Sequence, residues 1–214
     1  DGGNGAIWLR GTETGGTLTI GEINAVNAGS ALSGLQTTGG NADITLTTRG
    51  SALTVAQDVS THGNGSIDLR TASAGNIAIN GASLSSGGNG TIQLVSGGGL
   101  TTDTDSGDVT TDDEIRTTGA VLLDVAGAIG AEGKRIEIAD AGTLAARSGG
   151  TQWLRQRLGD AEVGTVTAIG TATEFDNPAS TLNGLVTTGG AGDVGLFVAD
   201  GTLTVTQDVV TDST

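Results

Sequence analysis

The sequence predicts an all-β protein whose chain winds as a parallel β-helix, a β-solenoid with about 23–25 residues per regular coil. Three observations predict this fold. Short apolar runs alternate with polar residues, which is the pattern of a half-buried strand. Glycine-rich turns recur between these runs at a steady spacing. No window carries the i, i+3, i+4 apolar spacing of a helix, and the density of Gly and Thr opposes helix formation.

The first strand of each coil follows a glycine-rich turn. This unit recurs as GGNGAIWLR (2–10), GGNADITLT (39–47), HGNGSIDLR (62–70), GGNGTIQLV (87–95) and GGAGDVGLF (189–197). Ile44, Ile67 and Ile92 lead three successive copies at spacings of 23 and 25 residues. Because side chains alternate between the two faces of a strand, we expect these three residues to stack in one inward column.

Two further strands complete each coil. A second alternating run recurs as LTI (18–20), LTV (53–55), IAI (77–79) and LTV (203–205). A third, weaker run recurs as DVST (58–61), SLSS (83–86) and DVVT (208–211). Three short strands per coil are typical of a solenoid in which each strand pairs in parallel with its counterpart one coil away.

The composition agrees with this architecture, with 39 Gly, one Pro and 36% hydrophobic residues. A solenoid core is narrow, so we expect Val, Ile, Leu and Ala inside, Gly at the corners and Thr outside. Proline lacks the backbone donor that a ladder needs. The single Pro178, in TEFDNPAS, is therefore interpreted as part of a loop excursion.

In addition to the coil repeat, the sequence contains a longer repeat that comprises several coils. Residues 34–61 and 184–211 share 15 of 28 positions at an offset of 150, and Trp8 in IWLR corresponds to Trp153 in QWLR. Residues 1–214 are predicted to be one continuous β-helix segment of a longer protein, with the super-repeat over 1–61 and 145–211 and longer coils over 100–160. We expect equivalent residues of the two copies to lie on the same strand tracks.

Several stretches resemble the repeats of the filamentous haemagglutinin-like bacterial adhesins: GTLTIGEI (16–23), LTVAQDV (53–59), GAIG (127–130) and GTLAARS (142–148). The resemblance covers essentially the whole chain, although its motifs are degenerate and specify coil geometry. It implies a right-handed parallel β-helix, an extracellular location, at the bacterial surface or secreted, and a role in adhesion, biofilm or filament structure.

The expected function is therefore that of a structural shaft, a stiff spacer in a large extracellular adhesin. Two alternatives stay open: a subunit of a self-assembling extracellular filament, and a carbohydrate-active β-helix enzyme. The expected partners are glycans or proteins of host or neighbouring-cell surfaces, together with copies of the chain itself end to end. End-to-end contact is expected because DVVTDST breaks off where the earlier copy continues into HGNGSIDLR.

The charge excludes other classes of partner. The net charge is −15, from 24 acids against nine bases, which predicts repulsion from nucleic acids and anionic lipids. No run of 18 apolar residues exists, so no membrane insertion is expected, and the lack of Cys excludes disulfides. Five bases cluster in one window and are interpreted as solvated side chains that offset nearby acids, with an anion or glycan patch as the alternative: Lys134, Arg135, Arg147, Arg155 and Arg157.

We predict no catalytic, cofactor-binding or metal-binding residues. The only histidine, His62, replaces a corner glycine, and no nucleophile motif accompanies it. The calcium-binding nonapeptide GGxGxDxUx is not matched, since Ile92 and Val194 occupy the position of its Asp.

The acidic loop 103–114 is the remaining calcium candidate. Asp103, Asp105 and Glu114 fall at EF-hand-like positions, but Asp108 replaces the turn glycine. A solvated acidic corner is the alternative, and the sequence leaves the choice open.

Threonine rows are the last candidate surface. Thr37 and Thr187 begin the TTGG stretches, which could stack as an outward hydroxyl ladder for sugar or ice. The alternative is that Thr is simply a good exposed residue at strand ends.

Overall fold

The computed structural model describes residues 5–12, 15–23, 32–103, 113–170, 180–190 and 192–212. Within these ranges the chain contains strands and turns and no helix. The strands stack in parallel in three long sheets, so the predicted parallel β-helix is confirmed.

The strands of the described ranges, in chain order, are β1 Ile7–Gly11, β2 Thr17–Ile20, β3 Glu22–Ile23, β4 Leu32–Ser33, β5 Leu35–Gln36, β6 Ile44–Thr48, β7 Ala52–Val55, β8 Val59–Thr61, β9 Ile67–Thr71, β10 Ile77–Ile79, β11 Leu84–Ser86, β12 Ile92–Ser96, β13 Leu100–Thr102, β14 Ile115–Arg116, β15 Ala120–Val125, β16 Ile136–Ala139, β17 Thr143–Ser148, β18 Gln152–Leu158, β19 Ala161–Val163, β20 Thr165–Val166, β21 Leu182–Asn183, β22 Leu185–Thr187, β23 Val194–Val198, β24 Leu203–Val205 and β25 Val209–Thr211.

Three sheets form the sides of the β-helix. Sheet A runs in the order β1-β6-β9-β12-β15-β17-β19-β24, with β22 and β25 attached beside β17. Sheet B is β2-β7-β10-β13, and sheet C is β5-β8-β11-β14-β16-β18-β23. The eight levels of sheet A, at about 4.8 Å each, give a rise of about 34 Å between the first and last strands.

Inward side chains stack in columns of like upon like. Ile44 pairs in register with Ile67, and Ile67 pairs with Ile92, as the sequence predicts. All three side chains are fully buried. Complete burial of an aliphatic side chain of this size stabilises a fold by about 1.5–3 kcal/mol, so these columns supply much of the stability.

The first Thr of each TTGG stretch points inward, at a corner, whereas the second, Thr38 or Thr188, is exposed. Thr37 and Thr187 are buried, and their hydroxyls donate to the corner carbonyls of Ala42 and Gly192. Thr48 likewise donates to the carbonyl of Ser51. These buried hydroxyls satisfy turn carbonyls that the ladders leave unpaired, so the first Thr of each stretch has a structural role at the corner.

Asparagine explains the third letter of the GGN turns. The backbone N–H of Asn64 donates to Oδ1 of Asn41 at 3.0 Å, and that of Asn89 donates to Oδ1 of Asn64 at 3.2 Å. The Asn41 and Asn64 side chains therefore each tie their corner to the corner of the next coil.

The cross-section changes in the second half of the chain. Sheet A divides at β17, where Leu144 pairs with Val163 of β19 while Ala146 pairs with Leu185 of β22. Sheet B narrows to single bridges at Ile129, which pairs with Gln152 at the start of β18. The seven-residue strand β18 therefore continues both sheets: its first residue pairs with the end of sheet B, and the rest of it pairs with β16 of sheet C.

The expectation that the two super-repeat copies share strand tracks is consequently wrong. The strands β6 and β23 are equivalent at an offset of 150, yet β6 lies in sheet A and β23 in sheet C. Trp8 and Trp153 are separated in the same way, on β1 of sheet A and β18 of sheet C. The two copies keep the same inward residues and corners, but each strand of the second copy lies on a different side of the β-helix from its equivalent in the first copy.

Each copy leaves the coil once, through a short antiparallel strand pair. These pairs are β3 with β4 and β20 with β21. The chain returns through Gly34 and Gly184, both at a φ of 70°, and each lies against the carbonyl of an aspartate, Asp58 or Asp208, where a Cβ would approach within 2.0 Å and 1.9 Å. The second excursion contains Pro178, which lies outside the described residues.

Candidate functional site

The second excursion folds back over the outer face of sheet A; we call residues 164–170 and 180–183 the strap. Val166 and Leu182 of the strap pack on Leu122 and Ala145, and all four are buried in a second apolar cluster. Leu122 and Ala145 are outward neighbours on β15 and β17. The strap therefore explains why two apolar residues face outward on the sheet.

The strap continues along the helix axis onto polar residues. Gln93 makes a two-way contact with Ile169, donating to its carbonyl at 3.0 Å and accepting from its N–H at 2.9 Å. Arg70 also donates to the Ile169 carbonyl, at 2.7 Å, and forms a buried ion pair with Asp68 at 2.8 Å. The strap thus spans four levels, from β17 to β9.

Ion pairs with nearby acids involve three bases of the window, as expected, but Arg155 and Arg157 on sheet C are largely buried, which corrects their interpretation as solvated; Lys134 and Arg147 are exposed. Arg155 contacts Glu137 at 2.9 Å, and both side chains are buried. Arg157 makes a two-point contact with Asp113, which is also buried. Arg147 pairs with Asp124 at 2.6 Å and is half exposed. Arg155 and Glu137 lie side by side because β16 and β18 pair in register there, and Arg147 and Asp124 are in register on β17 and β15 of sheet A. Arg157 lies at the register shift between β16 and β18.

Glu137 is a buried carboxyl whose pKa is shifted by its surroundings. Burial raises the pKa of Glu137 from its usual value near 4.5, and Arg155 opposes this effect. Such a carboxyl could in principle serve as a general acid. Its side chain is only 1% exposed, however, and is paired with Arg155. The Glu137 carboxyl is therefore not accessible to a substrate at the surface.

The described part of the acidic loop 103–114 consists of Asp103, Asp113 and Glu114; Asp105 and Asp108 lie outside the described residues. The Glu114 carboxylate accepts from the Thr102 hydroxyl and from the Glu137 N–H, both at 2.6 Å. Asp103 accepts from the Gly81 N–H at 2.9 Å. The carboxylates of the three described acids therefore accept hydrogen bonds from other residues of the protein. The described ranges contain no cluster of His, Cys, Asp or Glu arranged for a metal ion.

His62 lies at an exposed corner, as its place in the repeat predicts. Its Nδ1 is 3.0 Å from the carbonyl oxygen of Gly40, and its backbone N–H donates to the Thr37 hydroxyl. The contact of the His62 ring with Gly40 joins two adjacent coils, as the contact of Asn64 with Asn41 does at the same corner.

An aromatic and basic patch lies on the outer side of sheet C near its end. The Trp153 ring covers Gly195, where a Cβ would come within 2.5 Å of the indole. On the neighbouring row, the Phe197 ring lies 5.6 Å from the Arg155 guanidinium and 6.0 Å from that of Arg135. Neither the patch nor the strap could be recognised from spacing alone, because both depend on which strands share a sheet.

The two ends of the β-helix expose apolar residues of the inward columns. At the first coil, Leu9, Leu18, Ile20 and Leu35 line an open cavity of about 580 Å³. At the last coil, Leu203, Val205 and Val209 are exposed although each pairs with a buried residue of the level beneath.

Compared with known proteins, the chain matches no family model, no curated protein and no solved structure. Among the residues that the structure describes, no helix is long and apolar enough to cross a membrane.

Proposed function

We propose that this chain is a shaft segment of a large extracellular bacterial adhesin, where it acts as a stiff spacer. The observation that supports the proposal best is the unbroken stack of eight levels in sheet A. Each level is hydrogen-bonded to the next along the axis, and the inward columns fill the interior. Bending such a rod would have to open ladders and core contacts together.

The strap supports the mechanical role. It joins four levels through apolar contacts at Leu122 and Ala145 and through polar contacts at Gln93 and Arg70. Because the strap runs across the ladders, it resists shear and twist between levels that the backbone hydrogen bonds alone would permit.

The charge and composition fit a crowded surface fibre. A net charge of −15 keeps neighbouring rods apart, and the absence of Cys removes any dependence on the redox state of the compartment. In this proposal the shaft holds a binding region of the larger protein away from the cell, and that region contacts surface glycans or proteins.

The proposal is tested by deleting or replacing the segment in the complete protein. Deletion should weaken cell attachment, and replacement by an unrelated β-solenoid of equal length should restore it. A replacement that fails to restore attachment would show that these residues bind the target themselves. A neutral deletion would contradict a role as spacer.

A further inference from the structure

We propose that the strap is a latch that opens as one unit while the coils beneath it stay folded. Closed, the strap braces four levels of sheet A. Open, it leaves these levels joined by their ladders alone and uncovers an apolar area on the outer face of the sheet. The inference deepens the proposed function, on which its mechanical meaning rests.

The strap joins the coils at a narrow neck. The backbone N–H of Gly184 donates to the carbonyl of Gly164 at 2.9 Å, so the chain leaves the coil and returns to it at one point. Val163 and Leu185 flank this neck, and both are buried in the core of inward columns. The coil is therefore complete on both sides of the neck, whether the strap is closed or open.

The two strands of the strap form a small sheet of their own. β20 and β21 pair antiparallel with each other over two residue pairs. Among the described strands, neither of them pairs with a member of sheets A, B or C. Lifting the strap therefore breaks no ladder of the β-helix, and the free energy of opening comes from the contacts on the outer face of sheet A.

The apolar contacts of the strap are few and lie near the neck. Val166 and Leu182 pack on Leu122 and Ala145 in a cluster that is separate from the inward columns. Opening therefore exposes much less apolar surface than unfolding a coil would. Most other described residues of the strap are already exposed: Thr165, Thr167, Gly170, Ser180, Thr181 and Asn183.

The polar contacts lie farther along the axis and centre on the backbone of Ile169. The Gln93 side chain holds both its N–H and its carbonyl, and Arg70 donates to the same carbonyl. At Gly170, the next residue, a Cβ would lie 3.0 Å from both Arg70 and Asp68. The strap backbone thus lies close against these side chains, and water can take its place in each hydrogen bond when the strap lifts.

The side chains under this part of the strap keep their mutual contacts without it. Asp68 accepts from Nε and Nη2 of Arg70 at 2.9 Å and 2.8 Å, and from the Gln93 amide at 2.8 Å. Closure, by contrast, leaves Nη1 of Arg70 buried with no hydrogen-bond partner among the described residues. An unpaired buried donor destabilises the closed state, and opening hydrates it.

These contacts make the strap the part of this face that opens first. Segments with few buried apolar contacts and with hydrogen bonds outside the main ladders open locally, at a lower free energy than global unfolding. When the strap is open, the four levels lose the contacts that run across the ladders. The shaft is then more compliant in shear and twist at this point.

Labelling of single thiols tests the latch in the full chain, which has no Cys of its own. Ala145→Cys places a thiol on the outer face under the strap. Ala146→Cys is the matched control, because the adjacent side chain is equally buried but lies in the core of inward columns. Under native conditions the Ala145→Cys variant should react with the thiol reagent DTNB at least ~100-fold faster than the Ala146→Cys variant, which reacts only when coils open.

A second substitution tests whether the strap opens as one unit. In the Ala145→Cys background, Gln93→Leu removes the contact with Ile169 and should speed labelling about tenfold, although Gln93 lies two levels from Ala145. Gln36→Leu is the matched control, since Gln36 is exposed on β5 of sheet C, and it should leave the rate unchanged.

Three results would overturn the latch. Equal labelling rates for the two thiols would show that the strap opens only with the coils. A rate for Ala145→Cys as high as that for Thr167→Cys, at an exposed position of the strap, would show that the strap does not close. An unchanged rate in the Gln93→Leu background would show that its two groups of contacts open separately. All three would leave the spacer proposal intact, and failure of the replacement experiment would leave the latch intact.

Discussion

Replacing Ile67 with Ala tests the stacked core most sharply. Ile67 is fully buried between Ile44 and Ile92, with which it pairs in register. The backbone on both sides is held by hydrogen bonds, from the Ile67 N–H to the Thr91 carbonyl at 3.0 Å and from the Ile44 N–H to the Ser66 carbonyl at 2.9 Å. The levels therefore cannot close over the lost side chain.

The substitution removes three carbon atoms, worth about 2.4 kcal/mol at about 0.8 kcal/mol per buried methylene. The cavity raises the expected loss in the free energy of unfolding to about 3–4 kcal/mol. Urea denaturation of the variant and the wild type gives this difference. The control is Leu203→Ala at the open end of the helix, which should cost less than about 1 kcal/mol because Leu203 is half exposed. Equal losses for the two variants would refute the argument from column position.

Three further predictions concern the corners, the ion pairs and the strap. Gly184→Ala should cost about 2–4 kcal/mol in urea denaturation, because its positive φ and a backbone carbonyl leave no room for a Cβ, whereas Gly133→Ala, in open space, should stay within about 1 kcal/mol. Folding raises the pKa of Glu137, so its ionisation above about pH 4.5 favours unfolding. The wild type should therefore lose stability as the pH rises above about 4.5, and Glu137→Gln should lessen that loss; equal slopes for both proteins would contradict the raised pKa. Arg70→Ala should cost about 3 kcal/mol, because the buried Asp68 loses its charged partner and keeps the hydrogen bond from the Gln93 amide, and should speed proteolysis of the strap; unchanged proteolysis would count against the strap contacts.

The sequence predicts the columns because their cause is local. Alternation and a spacing of 23 and 25 residues bring Ile44, Ile67 and Ile92 together regardless of what happens elsewhere in the chain. The corner position of His62 follows from the same repeat. These features depend on a single periodic unit, which one sequence displays several times.

The features that the sequence does not predict depend on how distant levels combine. Alternation shows only that Thr37 can sit in a strand, and its burial depends on the turn carbonyl of Ala42. The pairing of Arg155 with Glu137 needs the register between β16 and β18. The strap contact of Ile169 with Gln93 joins residues 76 positions apart, for which no periodic pattern exists.

The rotation of the second copy also escapes prediction, for a physical reason. The inward residues of β6 and β23 fill any side of the helix equally well, since each side needs only an aliphatic pair over a corner. The lengths of the intervening coils decide which side they occupy. Sequence identity between the two copies therefore predicts the conformation of a coil but not which side of the β-helix each of its strands occupies.

Methyl-to-methyl NOEs among isoleucines give the most direct measurement of the winding of the chain. With the isoleucine δ1 methyl groups labelled, Ile67 should show strong cross-peaks to both Ile44 and Ile92, because each is one level away, at about 5 Å. Ile44 and Ile92 are two levels apart, at about 10 Å, and should show no strong cross-peak to each other. A strong Ile44–Ile92 cross-peak, or the absence of either contact of Ile67, would contradict a helix of stacked parallel coils.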